Sequence, residues 1–274
     1  MTRSHAARGA TYASLAVMTA ISLLPLLWVL LSSVRTPAQI AAHPVGISWP
    51  PHVSNYKDAW DQARFSSYFI NSVVIAVATV LLVLICTIPA AYALAVVRVR
   101  YSRPIFVLFL LGLMIPIWSI VIPLFYELRD LGLIDTRTGA VLIEAALGLP
   151  FAIFMLRAAL LDLPRDVIEA AIIDGAGHLR MLHTIVLPLC MPAVKALIVF
   201  EFMWSWNDLV IPLFFLQSDN VRTLPIGLSF FQGRFGADPS IVAAGTSMAI
   251  LPVLIVYLLL NRQFIAGITA GATK

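Results

Sequence analysis

Three carboxylates lie inside otherwise apolar runs, where a charge is costly unless it is paired or wetted. Glu144, Glu201 and Asp208 are therefore the first candidates for chemistry. Glu144 follows Arg137 by a turn or two and reads as near the outer membrane surface, and Glu201 reads as paired with a cation such as Lys195. Asp208 is harder to account for by packing or pairing. It sits in EFMWSWNDLVIPLFF beside Trp204, Trp206 and Asn207. Aromatic faces that stack on pyranose rings, with amide and carboxylate groups that bond hydroxyls, are what a sugar pathway uses; the same rings also serve as core packing. The three acids together would equally suit a proton-driven transporter. Other chemistries find no support. No G-x-x-x-x-G-K-[ST] occurs, since Gly267 and Gly271 are four apart and Lys274 is misplaced, so the chain carries no loop for hydrolysing ATP. His178 and His183 are five apart, do not share a helix face and read as solvated. No zinc spacing or G-x-S-x-G elbow is present. We expect no catalytic residues, no metal and no cofactor.

The elements that must position these residues are membrane helices. Of 274 residues 61% are hydrophobic and 12% charged, against about a quarter charged in soluble proteins. Six apolar runs, approximately 12–31, 68–97, 104–126, 139–156, 195–216 and 241–260, meet the roughly 20 residues needed to span a bilayer core. The fold class expected is all-α: one polytopic domain over 1–274 with six transmembrane helices. Prolines at 25, 89, 116, 123, 150, 212 and 252 read as kinks, not ends, because neighbouring helices can satisfy the freed backbone groups. The first run exceeds the 7 to 15 apolar residues of a signal core and reads as an uncleaved span. Cys86 and Cys190 lie in or beside apolar runs and imply no disulfide framework. The formal charge of +4 does not imply nucleic acid. With both termini cytosolic, eleven Lys and Arg fall in inner segments, among them Arg98, Arg100, Arg103, Arg157, Arg165 and Arg180, against seven outside, as the positive-inside rule requires. Two longer outer loops remain, 32–67 with Trp49, Tyr56 and Trp60, and 217–240, which reads as an ordered loop presenting aromatics.

One cytosolic insert, 161–190, is polar and broken. Pro164 opens a short helix with Val167, Ile168, Ala171 and Ile172 on one face. Gly175 supplies a positive-φ stop, and Leu179, Leu182, Ile185 and Val186 begin a second helix that runs into Pro188. Glu169-Ala170-Ala171, three residues, Gly175, nine residues, Ile185, one residue, Leu187-Pro188 resembles the EAA signature of permease subunits in binding-protein-dependent ABC importers. The Trp-Asn-Asp stretch of the fifth run and the C-terminal NRQFIAGITAGATK are similar to the smaller, maltose-type permeases of carbohydrate importers. The resemblance implies that Glu169, Ala170, Ala171, Asp174, Gly175, Ile185, Leu187 and Pro188 couple to a partner ATPase and that Trp204, Trp206, Asn207 and Asp208 line the substrate path. It implies a second permease subunit, two ATPase subunits that bind the ATP, an external solute-binding protein, surrounding membrane lipid and a bacterial inner membrane. It further implies that the 217–240 loop faces the binding protein and that the tail reaches the ATPase interface.

Overall fold

The computed structural model describes residues 5–62, 64–235 and 238–270. Among them all regular structure is helical. In order these helices are α1 (His5–Ser32), α2 (Pro37–Ala42), α3 (Ser54–Gln62), α4 (Phe65–Tyr92), α5 (Ser102–Gly112), α6 (Ile117–Asp130) and α7 (Arg137–Leu161). There follow α8 (Arg165–Ile173), α9 (His178–Met181), α10 (Leu187–Leu189), α11 (Met191–Asn207), α12 (Val210–Phe215), α13 (Leu224–Phe235) and α14 (Pro239–Ala270). Wider π-helical turns continue α4 over Ala93–Val97 and join α9 to α10 over Leu182–Val186. Four helical stretches are long and apolar enough to cross a bilayer: Gly9–Ser32, Phe65–Val97, Arg137–Leu161 and Pro239–Leu259. The number is six if each of two bent pairs is one span, α5 with α6 at 94° and His178–Leu189 with α11 at 77°.

The prolines divide into two groups. Pro25, Pro89, Pro123, Pro150 and Pro252 lie inside continuous helices. Pro116 instead precedes α6, and α5 ends four residues before it at Gly112, so the third run is two helices. The fifth run also breaks, at Asp208 and Leu209, four and three residues before Pro212. Proline removes the hydrogen bond to the carbonyl four residues back. At position 112 that carbonyl belongs to a glycine, the poorest helix former after proline, and at 208 to an aspartate whose side chain competes for the freed N–H groups. Both local choices turn a kink into an end. The two outer loops are also more regular than read: 32–67 holds α2 and α3, and 217–240 holds α13. The C-terminal stretch is helical to Ala270, while the last residues of the tail expected at the ATPase interface, Lys274 included, lie outside the described residues.

The chain divides into two compact units, residues 1–66 with 227–252 and residues 67–226 with 253–274. In the first, α2 starts with a capping box in which the Thr36 hydroxyl accepts from the Gln39 N–H and the Gln39 side chain accepts from the Thr36 N–H. Arg35 is buried there with no carboxylate partner among the described residues. It donates instead to the Ser48 hydroxyl at 2.9 Å and to the carbonyls of Gln39 and His43 at 2.7 and 2.5 Å. Asn55 ties the same turn to α3 by donating to the carbonyls of Ser33 and Arg35. In the second unit, α7 is the central helix, packed against α5, α11, α12 and the Ala93–Val97 turn. Its N-cap is Thr136, whose hydroxyl accepts from the Gly139 N–H at 3.0 Å and donates to the Leu133 carbonyl at 2.7 Å. Midway, Val83, Ala145, Ala152 and Leu197 form a tight junction of α4, α7 and α11, where small residues let backbones approach closely.

Candidate functional site

The insert forms two short helices joined by a turn. The α8 C-terminus is a Schellman motif. Gly175, at φ +73°, donates its N–H to the Ile172 carbonyl, and Ala176 donates to Ala171, both at 3.0 Å. Ala171 is buried, with Met181, Leu182 and Val186, against Ala91, Tyr92 and Ala95 at the end of α4 and Leu156 and Leu160 of α7. The insert is thus fastened to two membrane helices by an apolar core. His178, read as solvated, is exposed but contacts Tyr92, with Nδ1 and the phenol oxygen 3.3 Å apart and the rings edge to face.

The signature residues divide between this core and the outside. Glu169, Ala170, Asp174, Gly175 and Pro188 are exposed, Ile185 and Leu187 half-buried, and Ala171 buried. The Glu169 side chain makes no hydrogen bond or ion pair among the described residues. It borders a cavity of about 220 Å³ with Arg98, Arg165, Ile168, Ala95 and Leu160. Around it, Ile172, Ile173 at 85% exposure and Leu179 at 75% present apolar side chains on an otherwise polar element. A rigid, apolar surface with an unpaired carboxylate is suited to docking another protein.

The second cluster lies where α11 breaks. Trp204, Asn207 and Asp208, together with Ile117, Leu147, Val210 and Ile211, line a cavity of about 370 Å³. Trp204 is exposed. Asp208 is extended, at φ −67° and ψ 127°, and its carboxylate accepts from the N–H groups of Val210 at 2.9 Å and Ile211 at 3.4 Å. The acid that resisted explanation from sequence therefore caps α12, and the broken helix presents its side chain to the cavity. Trp206 lies apart from the other three. It is buried, stacked on Phe202 and edge-on to Phe69, both at 5.6 Å between centroids.

The other two acids depart from the expected pairings. Glu144 is buried at 3% exposure, not at a surface, and accepts from the Thr79 hydroxyl at 3.1 Å and from the Ser205 hydroxyl. Glu201 is buried on α11 against Gly148 of α7, and no ion pair joins it to Lys195 among the described residues. The hydroxyl partners Thr79 and Ser205, and the apolar lining residues Ile117 and Leu147, were missed from sequence. Serine, threonine and aliphatic residues in a span carry no signal until the helices are placed. Beyond the spans, Asp135 joins two connecting segments. It accepts from the N–H groups of Gln217 and Ser218, both at 2.8 Å, and from the Ser218 hydroxyl, while its own N–H donates to the Phe215 carbonyl. Partial desolvation pushes its carboxyl up, but these bonds and the charge of Arg222 together hold it below its ordinary value.

Residues 87–264 match the family described as binding-protein-dependent transport system inner membrane component. The diacetylchitobiose uptake system permease protein NgcG of Streptomyces coelicolor is 33% identical over 268 residues, covering 96% of this chain and 88% of that protein. The melibiose/raffinose/stachyose import permease protein MelC of Bacillus subtilis is 34% identical over 221 residues, 80% of each. A chain in the crystal structure of a bacterial ABC transporter involved in the import of the acidic polysaccharide alginate has a TM-score of 0.83 to this one. It is 25% identical, with 96% of this chain and 99% of that chain covered.

Proposed function

Since the chain belongs to the family of inner membrane components of binding-protein-dependent transport systems, we propose that it is a permease subunit of an ATP-driven importer whose cargo is a carbohydrate. The relatives named above are permeases for oligosaccharides, and the structural neighbour is a chain of a transporter involved in the import of a polysaccharide. The observation that carries the reading is the helix–glycine–helix insert, exposed on one side and welded by a buried core to α4 and α7 on the other. Proton-driven transport through Glu144, Glu201 and Asp208 has less support: Asp208 is engaged in capping and Glu144 in bonds from two hydroxyls.

In this reading both termini and the insert are cytosolic. Six spans are few to enclose a sugar path, so a second permease lines the other side, and two ATPase subunits bind the ATP beneath. Their closure moves the exposed face of the insert, with Glu169 on its surface. Because Ala171, Met181 and Val186 are locked to the ends of α4 and α7, the insert carries those helices with it. An inward-facing cavity becomes an outward-facing one, filled from an external binding protein. Trp204, Asn207 and Asp208 line the path, and Trp206 supports them from behind.

The test is to tag the chain, extract it from its native membrane in mild detergent and identify stoichiometric partners by mass spectrometry. A second permease and a P-loop ATPase are the expected outcome. Recovery of the chain alone, even after cross-linking through a cysteine introduced on the insert, would overturn the reading.

A further inference from the structure

We infer that Glu144 is a positioning residue for the cavity-lining face of α11: a buried clasp that holds the last turn of that helix in the rotation that presents Trp204, Asn207 and Asp208. The inference rests on the reading of those three residues as the substrate path. A hydroxyl in a membrane helix has an easy partner in its own helix, the carbonyl four residues back. Ser14, Ser22 and Thr246 use it here. Thr79 of α4 and Ser205 of α11 instead give their single protons to Glu144 of α7. Glu144 thereby ties three helices, and its second carboxyl oxygen is buried without a partner among the described residues. Packing alone gives no reason for an acid there.

Ser205 transmits the constraint. While its hydroxyl bonds Glu144, its carbonyl accepts the N–H of Asp208, the residue at which α11 ends and whose carboxylate starts α12. A second contact lies one turn earlier. Gly148 leaves room for the Glu201 carboxylate, since a Cβ there would stand 2.5 Å from Oε2. On α7 the residues Glu144, Leu147 and Gly148 share a face. The outer two fix α11, and Leu147 between them lines the cavity with Trp204, Asn207 and Asp208. Helical residues are about 100° apart, so turning α11 by one residue would take Asn207 out of the cavity.

The experiment places a reporter at Asn207→Cys in the full chain, in native membrane vesicles, on a Cys86→Ser/Cys190→Ala background. The rate of reaction with a water-soluble maleimide is read. Leaving the Ser205 hydroxyl buried without its acceptor predicts labelling slower by about tenfold in Glu144→Ala, and Ser205→Ala, which breaks the same bond, follows it. Glu144→Gln, which keeps an accepting oxygen, stays near the parent rate. A second reporter at exposed Val45→Cys keeps its rate throughout. Unchanged labelling of position 207 in both alanine variants overturns the inference, and so does a change of equal size at position 45, which would mark general loosening. Should Glu144→Ala fail to reach the membrane, Ser205→Ala decides alone. Saccharide uptake by Trp204→Ala and Asn207→Ala tests the pathway reading separately: if labelling responds to the clasp but uptake ignores these two, the clasp stands and the pathway assignment falls.

Discussion

Gly175 and Gly139 are constrained for different reasons, and substitutions separate them. At Gly175 nothing stands within 4 Å of where a Cβ would sit, so the constraint is the positive φ of the Schellman turn. An L-residue there costs about 1–2 kcal/mol, more when β-branched, whereas asparagine is tolerated in this conformation. Gly175→Val therefore predicts a subunit that reaches the membrane and supports ATP hydrolysis but no longer converts it to uptake, while Gly175→Asn retains coupling. The ratio of ATP hydrolysed to sugar imported is the measurement, and normal uptake by the valine variant would count against the coupling role. Gly139 has no unusual φ, but a Cβ would run into the Leu133 carbonyl oxygen, which is backbone and cannot swing away. Overpacking of this kind predicts that Gly139→Ala lowers stability by about 1–3 kcal/mol, read as a reduced Tm of the purified chain. Gly175 was visible in sequence because it follows a short amphipathic helix. Gly139 was not, because its neighbour Leu133 is brought back by the turn ahead of α7.

Elements were legible where periodicity and length decide, and less so where two local preferences compete. The helices replacing the six apolar runs, and the two halves of the insert, follow from composition and a glycine stop. The breaks at Gly112 and Asp208 did not follow from treating all prolines alike; the residue four back from each proline, a glycine or an aspartate, distinguishes them from Ile21, Ile85, Ser119, Ala146 and Met248 ahead of the prolines that lie inside continuous helices. Loops gained helices where a local cap, as Thr36 gives α2, closes a short helical turn. The Asp135 junction between the start of α7 and the end of α12 is an element-scale contact that no local pattern announces. Its carboxyl is held below its ordinary value, so its contribution to stability is complete above the unfolded pKa, about 3.9, and is lost as pH falls through the lower folded value. The Tm difference between the native chain and Asp135→Ala should thus be constant around neutrality and shrink only in acid below about pH 4. A difference that instead disappears between pH 6 and 8 would show that another group controls this junction.

For the whole molecule, composition established a membrane protein, but not the division into two compact units, which depends on contacts far apart in sequence. The apolar window of α1 buries none of its residues within this chain, and many large apolar side chains elsewhere are exposed. Lipid is the natural cover for such surfaces in a multi-pass membrane protein. In the proposed mechanism the energy source is likewise a property of the assembly, because motion would enter at the insert and leave at the cavity lined by Trp204, Asn207 and Asp208, joined through α4, α7 and α11. Two of the acids on that route are engaged as acceptors, the buried Glu144 from two hydroxyls and the half-buried Asp208 from two backbone N–H groups, which suits them to structural roles. Uptake by the complete complex in proteoliposomes, with ATP enclosed on the ATPase side and binding protein on the other, is therefore expected to continue when a protonophore collapses the pH gradient. It should stop when the enclosed nucleotide is a non-hydrolysable analogue. Uptake that follows the proton gradient and ignores the nucleotide would transfer the driving role to Glu144, Glu201 and Asp208 and remove it from the insert.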